Sequence, residues 1–220
     1  MLISHKHKFI FLKTPKTAGT TTEILLSTIC GGEDIITPVT KKDEQLRRNF
    51  GGRKAQNFRP SLWRKIKGER FYFYNHIGAA DVFAQVNPET WASYRKFCFV
   101  RNPWDQVVSG YYMKKRSGKF ANFNDYLQSG SWKKNADETK RICLLDDRAA
   151  LDSYHRYENL EEELKAIFES VSAPLPTELP RAKAGYRSDS GSYRSYYNET
   201  TMNIVHDYYS WLQDLVPYEF

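Results

Sequence analysis

The chain has 220 residues, with 33 Lys and Arg against 26 Asp and Glu for a formal net charge of +7. That length buries a core that needs no disulfide staples, and three cysteines at unrelated spacings fit neither a bridge framework nor a metal site, so a reducing compartment is the plain inference. No apolar run approaches the roughly 20 residues of a membrane span, and Met1 leads within a few residues into the first apolar segment, so the expectation is a soluble cytoplasmic protein without leader or anchor.

In chain order, Lys8 to Lys13 reads as a strand that runs through Thr14-Pro15-Lys16-Thr17-Ala18-Gly19 into a helix over Thr20 to Cys30. Between Lys41 and Arg70, eleven Lys and Arg stand against Asp43, Glu44 and Glu69, an excess that accounts for the whole net charge. With Gly51-Gly52 and little periodic hydrophobicity before Trp63, this segment (41–70) reads as an exposed, mobile basic insertion. Phe71 to Tyr74 is expected as a short strand and Ala79 to Gln85 as a helix. Phe97 to Val100 follows as a strand, with Trp104 to Arg116 its helix. Phe123 to Gln128 and Asp137 to Leu145 read as helices, Ser153 to Tyr157 as a strand and Leu160 to Ser170 as its helix. After a proline-rich loop from Ala173 to Pro180, Asn198 caps a closing helix over Glu199 to Leu212. Strands alternating with helices predict one α/β domain over residues 1–220, a three-layer fold of the P-loop NTPase type with a central parallel sheet flanked by helices on both faces.

Two strand-to-helix junctions carry the chemistry. The first, PKTAGTTTE from Pro15 to Glu23, has the layout of a phosphate-cradling turn, but Gly19 is followed by Thr20 where a triphosphate P-loop has lysine. The lysine stands upstream, at Lys16. That arrangement loses the main cation for a magnesium triphosphate and suits a shorter anionic group; a plain turn with Thr20, Thr21 or Thr22 as helix cap is the bland alternative. The second junction is FVRNPWDQVVSGYY, from Phe99 to Tyr112. Asn102-Pro103 supplies a helix cap and first helical residue, which puts Arg101 at the carboxyl end of a buried strand. Ser109 follows about 9 Å along the helix at 1.5 Å per residue, so a guanidinium and a hydroxyl could close on one phosphate. The alternatives are a salt bridge from Arg101 to Asp105 and a packing role for Ser109.

Together these segments resemble the sulfotransferases, most closely the carbohydrate, or family 2, type. PKTAGTT is similar to the family's 5′-phosphosulfate loop, and Arg101, Asn102-Pro103 and Ser109 are similar to its 3′-phosphate motif. Weaker likenesses are Tyr157-Glu158-Asn159-Leu160, Tyr196-Tyr197-Asn198-Glu199 and the terminal Pro217-Tyr218-Glu219-Phe220. The resemblance implies in-line transfer of a sulfuryl group from 3′-phosphoadenosine-5′-phosphosulfate (PAPS) to a hydroxyl, leaving 3′-phosphoadenosine-5′-phosphate (PAP), with no metal required. It assigns Lys16 to the charge growing on the leaving phosphate and the loop residues Lys13, Thr17, Ala18, Gly19, Thr20, Thr21 and Thr22 to the 5′ side of the donor. Arg101 and Ser109 fall on the 3′-phosphate and Tyr157 at the edge of the adenine. The loop Arg187 to Tyr193, including Gly191 and Ser192, would close over the nucleotide. That loop lacks the lysine- and glycine-rich motif of the cytosolic small-molecule enzymes, which favours a saccharide acceptor.

In a doubly covered sheet, ligands sit at the carboxyl ends of strands, which brings His76 towards Lys13 to Thr22 and Arg101. His76 is then either a general base for the acceptor hydroxyl or a structural residue ahead of the following helix. No His/Cys cluster has metal-ligand spacing. Lack of an anchor points to a soluble member of microbial or viral type. A P-loop kinase remains as one alternative, weakened by the absent Gly-Lys-Ser/Thr. The other is a basic nucleic-acid binder, which explains the insertion but leaves both junctions idle.

Overall fold

The computed structural model describes residues 1–66, 68–180, 182 and 191–220. Its elements are β1 (Leu2–Ser4), β2 (Phe9–Phe11), α1 (Gly19–Ser27), β3 (Ile35–Ile36), α2 (Lys41–Asn49), α3 (Leu62–Ile66), α4 (Ala79–Phe83) and α5 (Pro88–Ser93), then β4 (Arg95–Val100), α6 (Pro103–Lys115), α7 (Phe123–Gln128) and α8 (Lys133–Cys143). A small hairpin, β5 (Leu144–Leu145) and β6 (Arg148–Ala149), leads to β7 (Ser153–Arg156), α9 (Leu160–Ser170), α10 (Glu199–Tyr208) and α11 (Ser210–Gln213).

Alternation along the strands divides the core. Phe9, Phe11, Phe97 and Phe99 pack on one face of the sheet with Leu25 and Leu26 of α1 and Leu164, Ile167 and Phe168 of α9. Ile10, Leu12, Cys98 and Val100 pack on the other with Trp104, Val107 and Val108 of α6, Val82 of α4, Ile142 of α8 and Val205 of α10. Each such side chain contributes on the order of 1.5–3 kcal/mol by leaving water, and helices are held to both faces by this period of two.

The sheet has the order β3-β1-β2-β4-β7. Its parallel core is β2, β4 and β7, with Phe11 opposite Phe97 and Phe99 opposite His155. The parallel core is as expected, and β1 adds to it as a strand antiparallel to both β2 and β3. The turn from His5 to Lys8 is too short for a parallel crossover, which takes a dozen or more residues, and leaves only a hairpin. The strand expected over Phe71 to Tyr74 is absent. One backbone bond, from Phe73 N–H to the Phe58 carbonyl at 2.8 Å, closes a loop there instead. Helix α8 stops at Cys143, two residues before the sequence boundary, where the chain turns through Asp146 and Asp147 at φ 50° and 56°. Left-handed backbone at both turn positions matches a tight hairpin and suits aspartate.

The basic segment, read as an exposed insertion, is helical over Lys41–Asn49 and docks on α1. The Thr40 hydroxyl accepts from the Asp43 amide at 3.2 Å, and Asp43 and Glu44 in the first turn with Arg47 and Arg48 in the last complement the helix dipole. Arg47 is fully buried, 2.8 Å from Glu44 and 3.2 Å from Glu23. Gly52 permits this packing, since a Cβ there would lie 2.3 Å from the Ser27 hydroxyl. Among the described residues no helix is long and apolar enough to cross a membrane.

Candidate active site

The turn after β2 is built from left-handed backbone, with Lys16 at φ 66° and Ala18 at φ 53°. Two non-glycine residues in that region cost on the order of 1–3 kcal/mol each and persist only where the surroundings impose them. Those surroundings are specific. His76 donates from Nδ1 to the Lys13 carbonyl at 2.9 Å, Gln106 from Nε2 to the Pro15 carbonyl at 2.7 Å, and Arg101 from Nη1 to the Lys16 carbonyl at 2.9 Å. Thr14 donates its hydroxyl to the Phe99 carbonyl at the end of β4. With these carbonyls engaged, the turn enters α1, whose N-cap Ala18 offers no side-chain hydrogen bond to the first-turn amides. Helix amides without a cap, at the positive end of the helix dipole, constitute a cradle for an anion. Gly19 is required at its centre, because a Cβ there would meet Lys13 Cγ at 2.6 Å.

Expected donors divide here. Thr17 donates its hydroxyl to the Thr14 carbonyl at 3.1 Å, Thr21 to Pro180 at 2.9 Å and Thr22 to Ala18 at 3.4 Å, so these hydroxyls hold the chain itself. Lys13, expected as a ligand for the donor, is 2 % exposed and directs its ammonium to Glu23 at 2.9 Å. Glu23 is wholly buried; burial raises its pKa, but the charges of Lys13, the Met1 ammonium and Arg47 override that and bring it down to about 2.

Arg101 leaves β4 with Nε and Nη2 on the Asp105 carboxylate at 2.8 and 2.7 Å and its guanidinium 4.2 Å from the centroid of the Tyr157 ring. The salt bridge to Asp105 therefore exists, and it orients the fork while Nη1 ties the phosphate loop to the second junction. Asn102 caps α6 as expected, accepting from the amides of Trp104 and Asp105 at 3.1 and 3.3 Å. Its own amide donates to Glu158 at 2.7 Å, and the Tyr218 hydroxyl donates to the same carboxylate at 3.1 Å, which joins Tyr157-Glu158-Asn159-Leu160 to the terminal segment.

A cavity of about 1450 Å³ lies over these elements, lined by Lys13, Lys16, Ala18, Gly19, Thr20, Thr21, His76, Arg101, Ser109 and Tyr157. It thus gathers both junctions and His76 at the carboxyl ends of β2 and β4. Because a carbonyl only accepts, Nδ1 of His76 carries the proton and Nε2 the lone pair in the neutral ring. Its backbone, at φ 60°, is held through its carbonyl by Arg141 at 3.0 Å, which in turn pairs with Asp81 at 3.1 Å. Thr17 and Thr22 sit behind the cavity wall. Gly191, Ser192 and Tyr193 do not line the cavity: the first two are exposed, and the Tyr193 hydroxyl accepts from Asn102 at 3.1 Å. Arg187 lies outside the described residues.

The model of the Sulfotransferase family matches residues 1–220. The chain belongs to the sulfotransferase family. An uncharacterized protein of Archaeoglobus fulgidus is 33% identical over 99 residues, which is 43% of this chain and 80% of that protein. Among solved structures, retinol dehydratase in complex with androsterone and inactive cofactor PAP is 12% identical, and the alignment covers 99% of this chain and 84% of that one with a TM-score of 0.44. The same enzyme in a complex with retinol and PAP is 11% identical over the same shares, also at 0.44.

Sequence reading missed part of this sulfotransferase's cavity. Lys114 from α6, Lys134, Asn135 and Glu138 from α8, and Leu175 to Pro180 also line it. The α8 residues recur at helical spacing, but that pattern looks the same whether a face meets solvent or a cavity. Gln106 was missed as well. It is buried in α6 with its Oε1 accepting from Tyr209 at 2.6 Å, and a glutamine set among the apolar residues Trp104, Val107 and Val108 of the second junction is the signal that could have found it.

Proposed function

We propose that the enzyme transfers the sulfuryl group of PAPS to a saccharide hydroxyl, with Lys16 and His76 acting on the reacting atoms. The observation that carries this is the set of loop carbonyls fixed by His76, Gln106 and Arg101 beside an uncapped helix start. A phosphate bound there meets donors already oriented, with little left to reorganise. When bound, the donor supplies an activated sulfuryl group on a phosphate leaving group. Lys16 stabilises charge that develops on the leaving oxygen, Arg101 and Ser109 hold the 3′-phosphate, and the Tyr157 ring lies against the adenine side. His76 takes the acceptor proton at Nε2 while its Nδ1–H remains on Lys13. No metal takes part in this scheme.

The saccharide reading rests on the lining. Lys114, Lys134, Asn135 and Glu138 present hydrogen-bonding and charged groups, which match a hydroxyl-rich acceptor.

Titration calorimetry without magnesium tests the donor site. PAP is expected to bind at least a hundredfold more tightly than ADP, and Arg101→Ala to remove most of that preference; equal binding of the two nucleotides by the unaltered enzyme would sink the proposal. A donor-loaded screen of saccharides, phenols and sterols, read by mass, tests the acceptor, and sulfation confined to phenols or sterols would overturn the saccharide assignment.

A further inference from the structure

We propose that the loop from Phe58 to Phe73 docks the enzyme on an anionic lipid bilayer. The loop is closed at its base by the Phe73–Phe58 backbone bond and by the rings of Phe58 and Tyr72, whose centroids are 6.4 Å apart. Its far end is α3, a single turn whose Lys65 amide donates to the Ser61 carbonyl at 2.9 Å, after which Gly68 turns the chain back at φ 85°. Leu62, Trp63 and Ile66 stand on this turn at 73%, 76% and 69% exposure, and Tyr72 near the base at 56%. Among the described residues the large hydrophobics that face solvent also include Phe83, Met113 and Ile204, but these are scattered singly, whereas the loop gathers four. Single exposed apolar residues need no explanation, but a contiguous group does.

On a helix of 100° per residue, Leu62, Trp63 and Ile66 fall within an arc of about 100°, with Lys65 on its flank. Around them the loop sequence carries Arg59, Arg64, Lys65, Lys67 and Arg70 against Glu69 alone. An apolar tip with the exposed Arg59, Lys65 and Arg70 in the same loop matches the two layers of an anionic membrane surface, acyl boundary below and phosphate head groups above, and tryptophan prefers that boundary. A protein groove reads apolar anchors over at least two helical turns, which α3 does not have. Nucleic acid would use the cations and Trp63 but gain nothing from Leu62 and Ile66. From the loop the chain runs through Tyr74 and Asn75 to His76, so docking would hold the cavity close to the lipid head groups.

Sedimentation with vesicles decides the matter, using phosphatidylcholine alone and a 7:3 mixture of phosphatidylcholine and phosphatidylglycerol. The full chain is expected to pellet with the anionic vesicles only, and to lose that binding at least tenfold in Leu62→Ala/Trp63→Ala/Ile66→Ala. Tryptophan emission should shift to the blue on adding anionic vesicles, and Trp63→Phe should abolish the shift. PAP affinity of the triple variant should match the parent, which shows that the fold survives. No binding to either vesicle, binding undiminished in the triple variant, or capture by RNA and heparin but not by vesicles would each overturn the proposal.

Discussion

Replacement of Glu23 by glutamine tests the electrostatic base of the phosphate loop. The carboxylate is fully buried between Lys13 at 2.9 Å and Arg47 at 3.2 Å and also accepts from the Thr37 hydroxyl at 3.0 Å. Glutamine retains the size and one acceptor oxygen, but removes the negative charge from beside Lys13, the Met1 ammonium and Arg47, which keeps Glu44, and turns an amide NH2 towards one of these cations. Loss of one partner from a buried ion pair costs about 3–5 kcal/mol. The titration of Glu23 gives an independent figure. Its pKa is about 2 in the fold against an ordinary 4.5, and at about 1.4 kcal/mol per pH unit that amounts to about 3 kcal/mol. For a chain of this length each kcal/mol moves the melting temperature by about 2–4 °C, so Glu23→Gln should melt about 6–20 °C lower at neutral pH. The sign with pH follows from the depressed carboxylate. Its stabilisation is complete above about pH 4.5 and fades as pH falls towards 2, so the gap between parent and variant should narrow over that window. Urea unfolding at several pH values measures both quantities. A loss under about 1 kcal/mol at pH 7, or a gap that stays constant on acidification, would refute the reasoning.

Further outcomes follow from the loop and its ties. Gly19→Ala forces its Cβ against the Lys13 stem and should weaken PAP binding by at least about tenfold, checked by calorimetry, as the cradle is pushed open. His76→Ala frees the Lys13 carbonyl and should weaken PAP binding about as much as loss of the Gln106 tie, while turnover at saturating donor falls much further, by roughly 10²- to 10⁴-fold, measured in single-turnover assays with a responsive acceptor. Gln106→Met removes the tie to the Pro15 carbonyl and leaves it and the Tyr209 hydroxyl buried without that partner; a stability loss of about 1–3 kcal/mol and weaker PAP binding are expected from urea unfolding and calorimetry.

Both junctions were legible because their signals are local. Asn102-Pro103 fixes a helix start through capping and a preset φ, and Phe-Ile-Phe and Phe-Cys-Phe-Val show their sheet faces by alternation alone. What escaped depends on partners far along the chain. Lys13 reads as a ligand until Glu23 lies beside it, and Arg47 reads as solvated charge until α2 packs on α1. Phe71 to Tyr74 has strand composition, yet β2 already has β1 on one side and β4 on the other, so that segment finds no place beside it. The reverse case is β1, three residues that no pattern window registers and that enter the sheet because a hairpin carries them there.

The ties on the phosphate loop have a consequence for how such sites are passed between chains. His76, Gln106 and Arg101 come from separate stretches of sequence, and each holds a different carbonyl of the turn. The heptapeptide Pro15 to Thr21 is therefore not a portable module. Grafted onto another strand and helix it would keep its letters and relax its left-handed residues, so descent of this loop has to travel with the histidine, the glutamine and the arginine that hold it in shape.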